Sequence, residues 1–207
     1  MTLQNRVLPT GEIVAEPWRG EWMGNRGILH DAHKSLGRVR WRHQNWVTCQ
    51  LRFKDRKREV MRAGSFYTEL FFFDEAGALA AGHRPCAECR HADYMRFRAA
   101  WAAALGETPR AADMDRRLHA VRVDRPARPQ KRWQSPAASL PPGAMFLLGE
   151  VPALVGAGAA LVWTGAGYGT PRDLPPGWVS VCTPRSTVAT LKAGYLPKPH
   201  RSLATID

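Results

Sequence analysis

Four cysteines occur in the 207 residues, and two of them form the chain's one Cys-x-x-Cys, in "ALAAGHRPCAECRHADY", residues 78 to 94. A pair at this spacing can hold a metal ion on a tight turn, cycle between dithiol and disulfide, or pack as two buried thiols. Redox cycling needs the first thiolate at a helix N-terminus, where free N–H groups lower its pKa. That placement is met here, but the βαβ surroundings such pairs use are absent. Zinc fits better, because Cys86 and Cys89 can bind one ion from a single turn while further ligands arrive from a distant segment. Cys49, in "WVTCQLRF", is the natural third ligand. As fourth, His30 is preferred over His43, which lies on the stretch leading to Cys49. Cys182, in the far C-terminal segment, reads as a packed thiol.

These residues need elements to position them. Residues 1 to 33 are turn-rich and read as an ordered, Gly-rich loop. From "RVRWRHQNWVTCQLRF" apolar and polar residues alternate, and "KDRKREV" leads to a second short run ending near Met61, so a hairpin is expected. "SFYTELFFF" reads as a buried strand. "DEAGALAAG" reads as a short helix, with Asp74 as its N-cap and Gly82 as its stop. After the cysteine pair, Tyr94, Phe97, Trp101 and Leu105 recur at helical spacing, so both thiols sit at or just before a helix N-terminus. Residues 107 to 142, rich in Arg and Pro, read as a connector around a possible short strand, "HAVRV". Beyond it "AMFLLG", "VPALV", "AALVWT" and "WVSVC" read as short strands and "PRSTVATLKAG" as a closing helical turn. The expected fold is α+β: a zinc-binding α+β domain over 1–107 with its Gly-rich loop, a basic Pro-rich connector over 108–139, and a small β-rich, barrel-like module over 140–207.

The stretch "FYTELFFFDEAGALAAGHRPCAECRHAD" is similar to the second half of the Ada-type zinc-binding domain. In that family an aromatic strand, a short helix ending in Ala-Ala-Gly and an Arg-Pro-Cys-x-x-Cys turn follow one another. The resemblance covers roughly residues 66 to 93. It implies zinc on Cys86 and Cys89, with Arg84 and Arg90 close to the site and to a phosphate. Upstream the family carries Cys-x-x-x-Cys, one member of which accepts a methyl group from a DNA phosphotriester, whereas this chain offers Cys49 alone.

Charge points the same way. The net charge is +12, and residues 34–62 carry ten basic side chains against Asp55 and Glu59. Such a field attracts polyanions. Together with Trp41, Trp46 and Phe53, which can stack on bases, it gives the expectation of a zinc-dependent nucleic-acid binder, on DNA before RNA, acting in repair or modification. Arg56, Lys57 and Arg58, with Arg84 and Arg90, are the candidate phosphate contacts. The alternative is a zinc hydrolase or deaminase acting on nucleic acid or a nucleobase, with His30 and Asp31 as a candidate base and orienter. No His-x-Glu accompanies the Pro-Cys-x-x-Cys that zinc deaminases share. The opening "MTLQNRVLPTGEIV" lacks the apolar stretch of a signal peptide, and "VPALVGAGAALVWTGAGYG" is too Gly-rich and broken by Pro152 to span a membrane. A cytoplasmic location is therefore expected.

Overall fold

The computed structural model describes residues 2–54, 60, 61, 64, 66–125 and 129–203. The turn-rich N-terminal segment is more regular than its composition indicates. It supplies β1 (Arg6–Val7), β2 (Ile13–Val14) and β3 (Trp22–Gly24), followed by β4 (Val47–Cys49), β5 (Leu70–Phe72), helix α1 (Glu75–Ala80) and β6 (Arg84–Pro85). These six strands form one mixed sheet in the order β2-β1-β5-β3-β4-β6. Helix α1 forms where the sequence places it. The Asp74 carboxylate accepts the Gly77 N–H at 2.7 Å, and Gly82, at φ +80°, turns the chain back out.

Helix α2 (His91–Leu105) follows the cysteine pair and ends at Gly106, which is left-handed at φ +74°. Its Phe97 and Trp101 are fully buried. Helix α3 (Ala111–Arg122) and β7 (Trp133–Pro136) occupy the stretch that reads as a connector, and "HAVRV" lies at the end of α3 rather than in a strand. The reason is a helical stripe that the arginine content obscures: Met114, Leu118 and Arg122 recur every four residues and all are buried. Of the hairpin expected up to Met61, β4 is the extended part among the described residues, and its expected second strand falls largely on 55–59, outside them.

The C-terminal part follows its apolar runs. Strands β8 (Met145–Leu148), β9 (Val151–Val155), β10 (Ala159–Trp163), β11 (Tyr168–Asp173) and β12 (Trp178–Val181) form a second, antiparallel sheet with β7, in the order β11-β10-β9-β8-β12-β7, before helix α4 (Arg185–Lys192). Side chains alternate between the faces of a strand, and both faces of this sheet are covered. Phe146, Ala153, Val155 and Val181 pack with Phe97, Trp101, Met114, Leu118 and Leu191 from the helices. Met145, Leu147, Leu154, Leu161 and Trp163 pack with Phe73, Ala76 and Ala80. Residues on either side of 108–139 thus share two apolar clusters, and the fold class is α+β. Among the described residues no helix is long and apolar enough to cross a membrane.

Candidate metal centre

Strand β4 is short but doubly fixed. It pairs antiparallel with β3, Met23 opposite Cys49, and parallel with β6, Thr48 opposite Pro85. The Cys86 N–H then donates to the Thr48 carbonyl at 3.0 Å, which brings the start of the Cys-x-x-Cys turn level with Cys49. The result is that the sulfur atoms of Cys49, Cys86 and Cys89 all lie within 4.8 Å of one another, close enough to hold one metal ion. A tetrahedral ion with bonds of about 2.3 Å sets its sulfurs roughly 3.8 Å apart, so the triangle suits it. Cys89 is buried and the other two are half-buried.

Backbone N–H groups point at the sulfurs. The Glu88 N–H donates to Cys86 Sγ at 3.4 Å, the Cys89 N–H donates there too, and the Gln50 N–H donates to Cys89. Such donors favour the thiolate form. The Cys86 thiol is drawn down by hydrogen bonds from Cys49 and Cys89, then by those backbone donors, against its burial. Cys49 is pushed far up by its bonds to Cys86 and Cys89 and by burial. Hydrogen bonds among the three thiols share their protons, whereas a cation in the triangle would hold all three as thiolates.

A rigid frame stands behind the turn. Arg90, next to Cys89, is 2% exposed and donates to Glu75 Oε1 at 2.6 Å, to Asp93 Oδ2 at 2.8 Å and to Thr48 Oγ1 at 2.7 Å. Its guanidinium also lies 3.8 Å from the Trp22 ring centroid. Glu75 in turn accepts the Tyr195 hydroxyl at 2.5 Å and the Lys198 N–H at 2.8 Å, which ties the C-terminal tail to the same point. Burial would raise the Asp93 carboxyl, but Arg96, Arg90 and Lys198 outweigh it and hold it at about 2. Arg84 grips Asp115 through two bonds, of 2.8 and 2.7 Å.

Arg84 and Arg90, which the resemblance places close to the site and to a phosphate, are both buried in ion pairs here. His30 does not join the thiols. Its Nε2 donates to the Gln4 carbonyl at 2.9 Å and its Nδ1 lies 3.3 Å from Thr68 Oγ1, while burial lowers its pKa. Asp31 folds back to accept from the His33 and Ser35 N–H groups, so no base-and-orienter pair forms with His30. His43 donates from Nε2 to Asn25 Oδ1 at 2.7 Å. Among the described residues no fourth histidine, cysteine or carboxylate completes the group. Cys182 is buried beside Met145 and Tyr168, and burial pushes its thiol up to about 12. Arg56, Lys57 and Arg58 lie outside the described residues. Reading the sequence misses Thr48, Glu75 and Asp93, whose roles come from contacts made across the fold. Comparison with protein-family models, with curated proteins and with solved structures gives no match.

Proposed function

We propose that the chain is a zinc protein that binds nucleic acid, with Cys49, Cys86 and Cys89 as the ligands of the metal. The convergence of three thiols from two separate segments carries this reading. Soft thiolates, a triangle of tetrahedral size and N–H donors onto sulfur favour zinc over the hard cations, which take oxygen ligands. The similarity of residues 66 to 93 to the Ada-type domain supports the same ion. Nucleic acid as the partner is supported by the net charge of +12. Exposed Arg38 and Arg42 precede β4, and exposed Arg52 and Lys54 follow Cys49.

Binding to duplex DNA followed by fluorescence anisotropy across a salt series tests the partner. Six phosphate contacts give a log–log slope of about −5. Alanine at Arg52, Lys54, Arg56, Lys57 and Arg58 together is expected to flatten the slope and weaken all sequences alike. Binding that stays weak at low salt would remove the reading.

A second reading, a zinc hydrolase or deaminase, draws on the ligand count, because catalytic zinc keeps three protein ligands and leaves one position to water or substrate. Cobalt-substituted protein separates the two. A visible spectrum that changes on adding azide or cyanide marks an exchangeable fourth position, and one that does not marks a closed structural site.

A further inference from the structure

Just before β4 lies a cluster of positive charge whose two arginines form no ion pair among the described residues. Trp46, 1% exposed, has the guanidinium of Arg26 at 4.2 Å from its ring centroid and that of Arg122 at 3.9 Å. Both arginines are buried, Arg26 at 2% exposed and Arg122 fully. Each donates to two backbone carbonyls, Arg26 to Gly11 and Ala81, Arg122 to Gly82 and Gln44. Carbonyls satisfy N–H groups but cancel no charge, and the Nε of each arginine has no partner. Burial lowers Arg26 to about 9, with Arg40 adding to the effect, so it still carries its charge at neutral pH.

Among the described residues no carboxylate pairs with either arginine. Asp115 lies near enough to favour the Arg122 cation but is already gripped by Arg84, and Glu12 lies exposed on the rim. His83, His43 and His119 are each pushed down, first by burial and then by the arginines, and so stay neutral. A buried cation normally has a partner, because leaving one unpaired is costly.

A cavity of about 320 Å³ opens onto this cluster, lined by Arg26, Arg40, Trp41, Trp46 and Gln130. Two further polar atoms in its wall, Trp41 Nε1 and Gln130 Oε1, are buried without partners. We infer that this pocket takes a mononucleotide unit, its phosphate on Arg26 and Arg40 and its base beside Trp41. Guanidinium forks match phosphate oxygens, and an indole offers a stacking surface to any base. The volume is too large for a bare anion and sits at the small end of ligand pockets, which start at about 300 Å³. The anion is argued from the unpaired arginine at the cavity wall and the unpartnered polar atoms beside it; its attachment to a nucleoside rests on the nucleic-acid reading above. Trp46, just before β4, and Cys49, at its end, are three residues apart, so pocket and candidate metal centre are on the order of 10 Å apart along the chain.

The test uses the full chain and four probes: AMP, adenosine, inorganic phosphate, and a single-stranded hexanucleotide with or without a 5′-phosphate, read by tryptophan fluorescence and thermal melting. AMP is expected to change both signals and to bind about tenfold or more tighter than adenosine. Arg40→Gln, at the half-buried wall, should weaken AMP by a similar factor and leave the ligand-free melting temperature close to that of the parent. Arg26→Lys keeps the charge but loses the fork, and serves where Arg26→Gln fails to fold. A preference for the phosphorylated hexanucleotide identifies a strand end as the source; AMP binding without it identifies a free nucleotide, and both support the pocket. Adenosine binding as well as AMP, phosphate binding as well as AMP, or an Arg40→Gln variant that binds AMP unchanged would overturn it. Duplex DNA binding that persists while AMP fails sinks the pocket alone, and AMP binding in a protein that ignores DNA sinks the DNA reading alone.

Discussion

Asp74 does two jobs with one carboxylate: it caps α1 through the Gly77 N–H and accepts the Tyr168 hydroxyl at 2.5 Å. Burial raises it to about 6, against the pull of those two donors. A folded-state pKa above the unfolded one means that the protonated group contributes stability, in full below about pH 4 and lost as pH rises through about 6. The shift corresponds to about 3 kcal/mol. Asp74→Asn mimics the protonated acid, so the difference in unfolding free energy between variant and parent should move in favour of the variant by about that amount from pH 4 to pH 7. Urea titrations at both pH values measure it; a flat difference contradicts the buried-acid account. Arg90 shows the opposite dependence on a partner. Arg90→Ala leaves the buried Glu75 facing a void in the place of its cation, while Asp93 keeps Arg96 and Lys198; the change is expected to cost about 3–5 kcal/mol. Because Arg90 adjoins Cys89, the variant should also release metal at lower chelator concentration than the parent.

Two glycines at helix ends separate backbone strain from packing. Gly106, at φ +74°, ends α2 with nothing near the position of a Cβ, whereas a Cβ on Gly82, at φ +80°, would lie 2.6 Å from the Arg122 Cδ. Gly106→Ala should lose only the left-handed preference, about 1 kcal/mol. Gly82→Ala should lose that and displace Arg122 from the Gly82 carbonyl, so denaturant midpoints must rank Gly82→Ala clearly below Gly106→Ala. Helix α1, helix α2 and strands β8, β9, β10 and β12 were legible because caps, helical spacing and short apolar runs are local signals. So was the thiol triangle, since two of its members are three residues apart and the third is the nearest remaining cysteine in the sequence. Helix α3 was not, because its stripe includes Arg122, and a guanidinium reads as a surface group until its carbonyl partners, 40 and 78 residues away, are known. Strands β1 to β3 are two or three residues long and exist only through their pairing, which no local pattern records.

At the scale of the whole molecule, apolar clusters join helices α1 to α3 to the second sheet, and Met114, Leu118 and Ala137 of the basic stretch are buried in one of them. Trypsin is expected to cut after Arg52 or Lys54, exposed and outside helix or strand, before it cuts after Arg116 or Arg117, whose helix is anchored by Met114 and Leu118. Early cleavage within 111–122 would show that α3 is loosely held. The candidate metal centre depends on this wholeness, because Cys49 and the Cys-x-x-Cys turn are brought together by the β4–β6 pairing and the Arg90 network. Metal analysis of the purified full chain, beside Cys49→Ser, Cys86→Ser, Cys89→Ser and His30→Ala, tests that most directly. The account predicts about one zinc per parent chain, its loss in each cysteine variant and its retention in His30→Ala. A parent protein that folds normally without metal, or one that keeps its zinc when Cys49 is replaced, would contradict it.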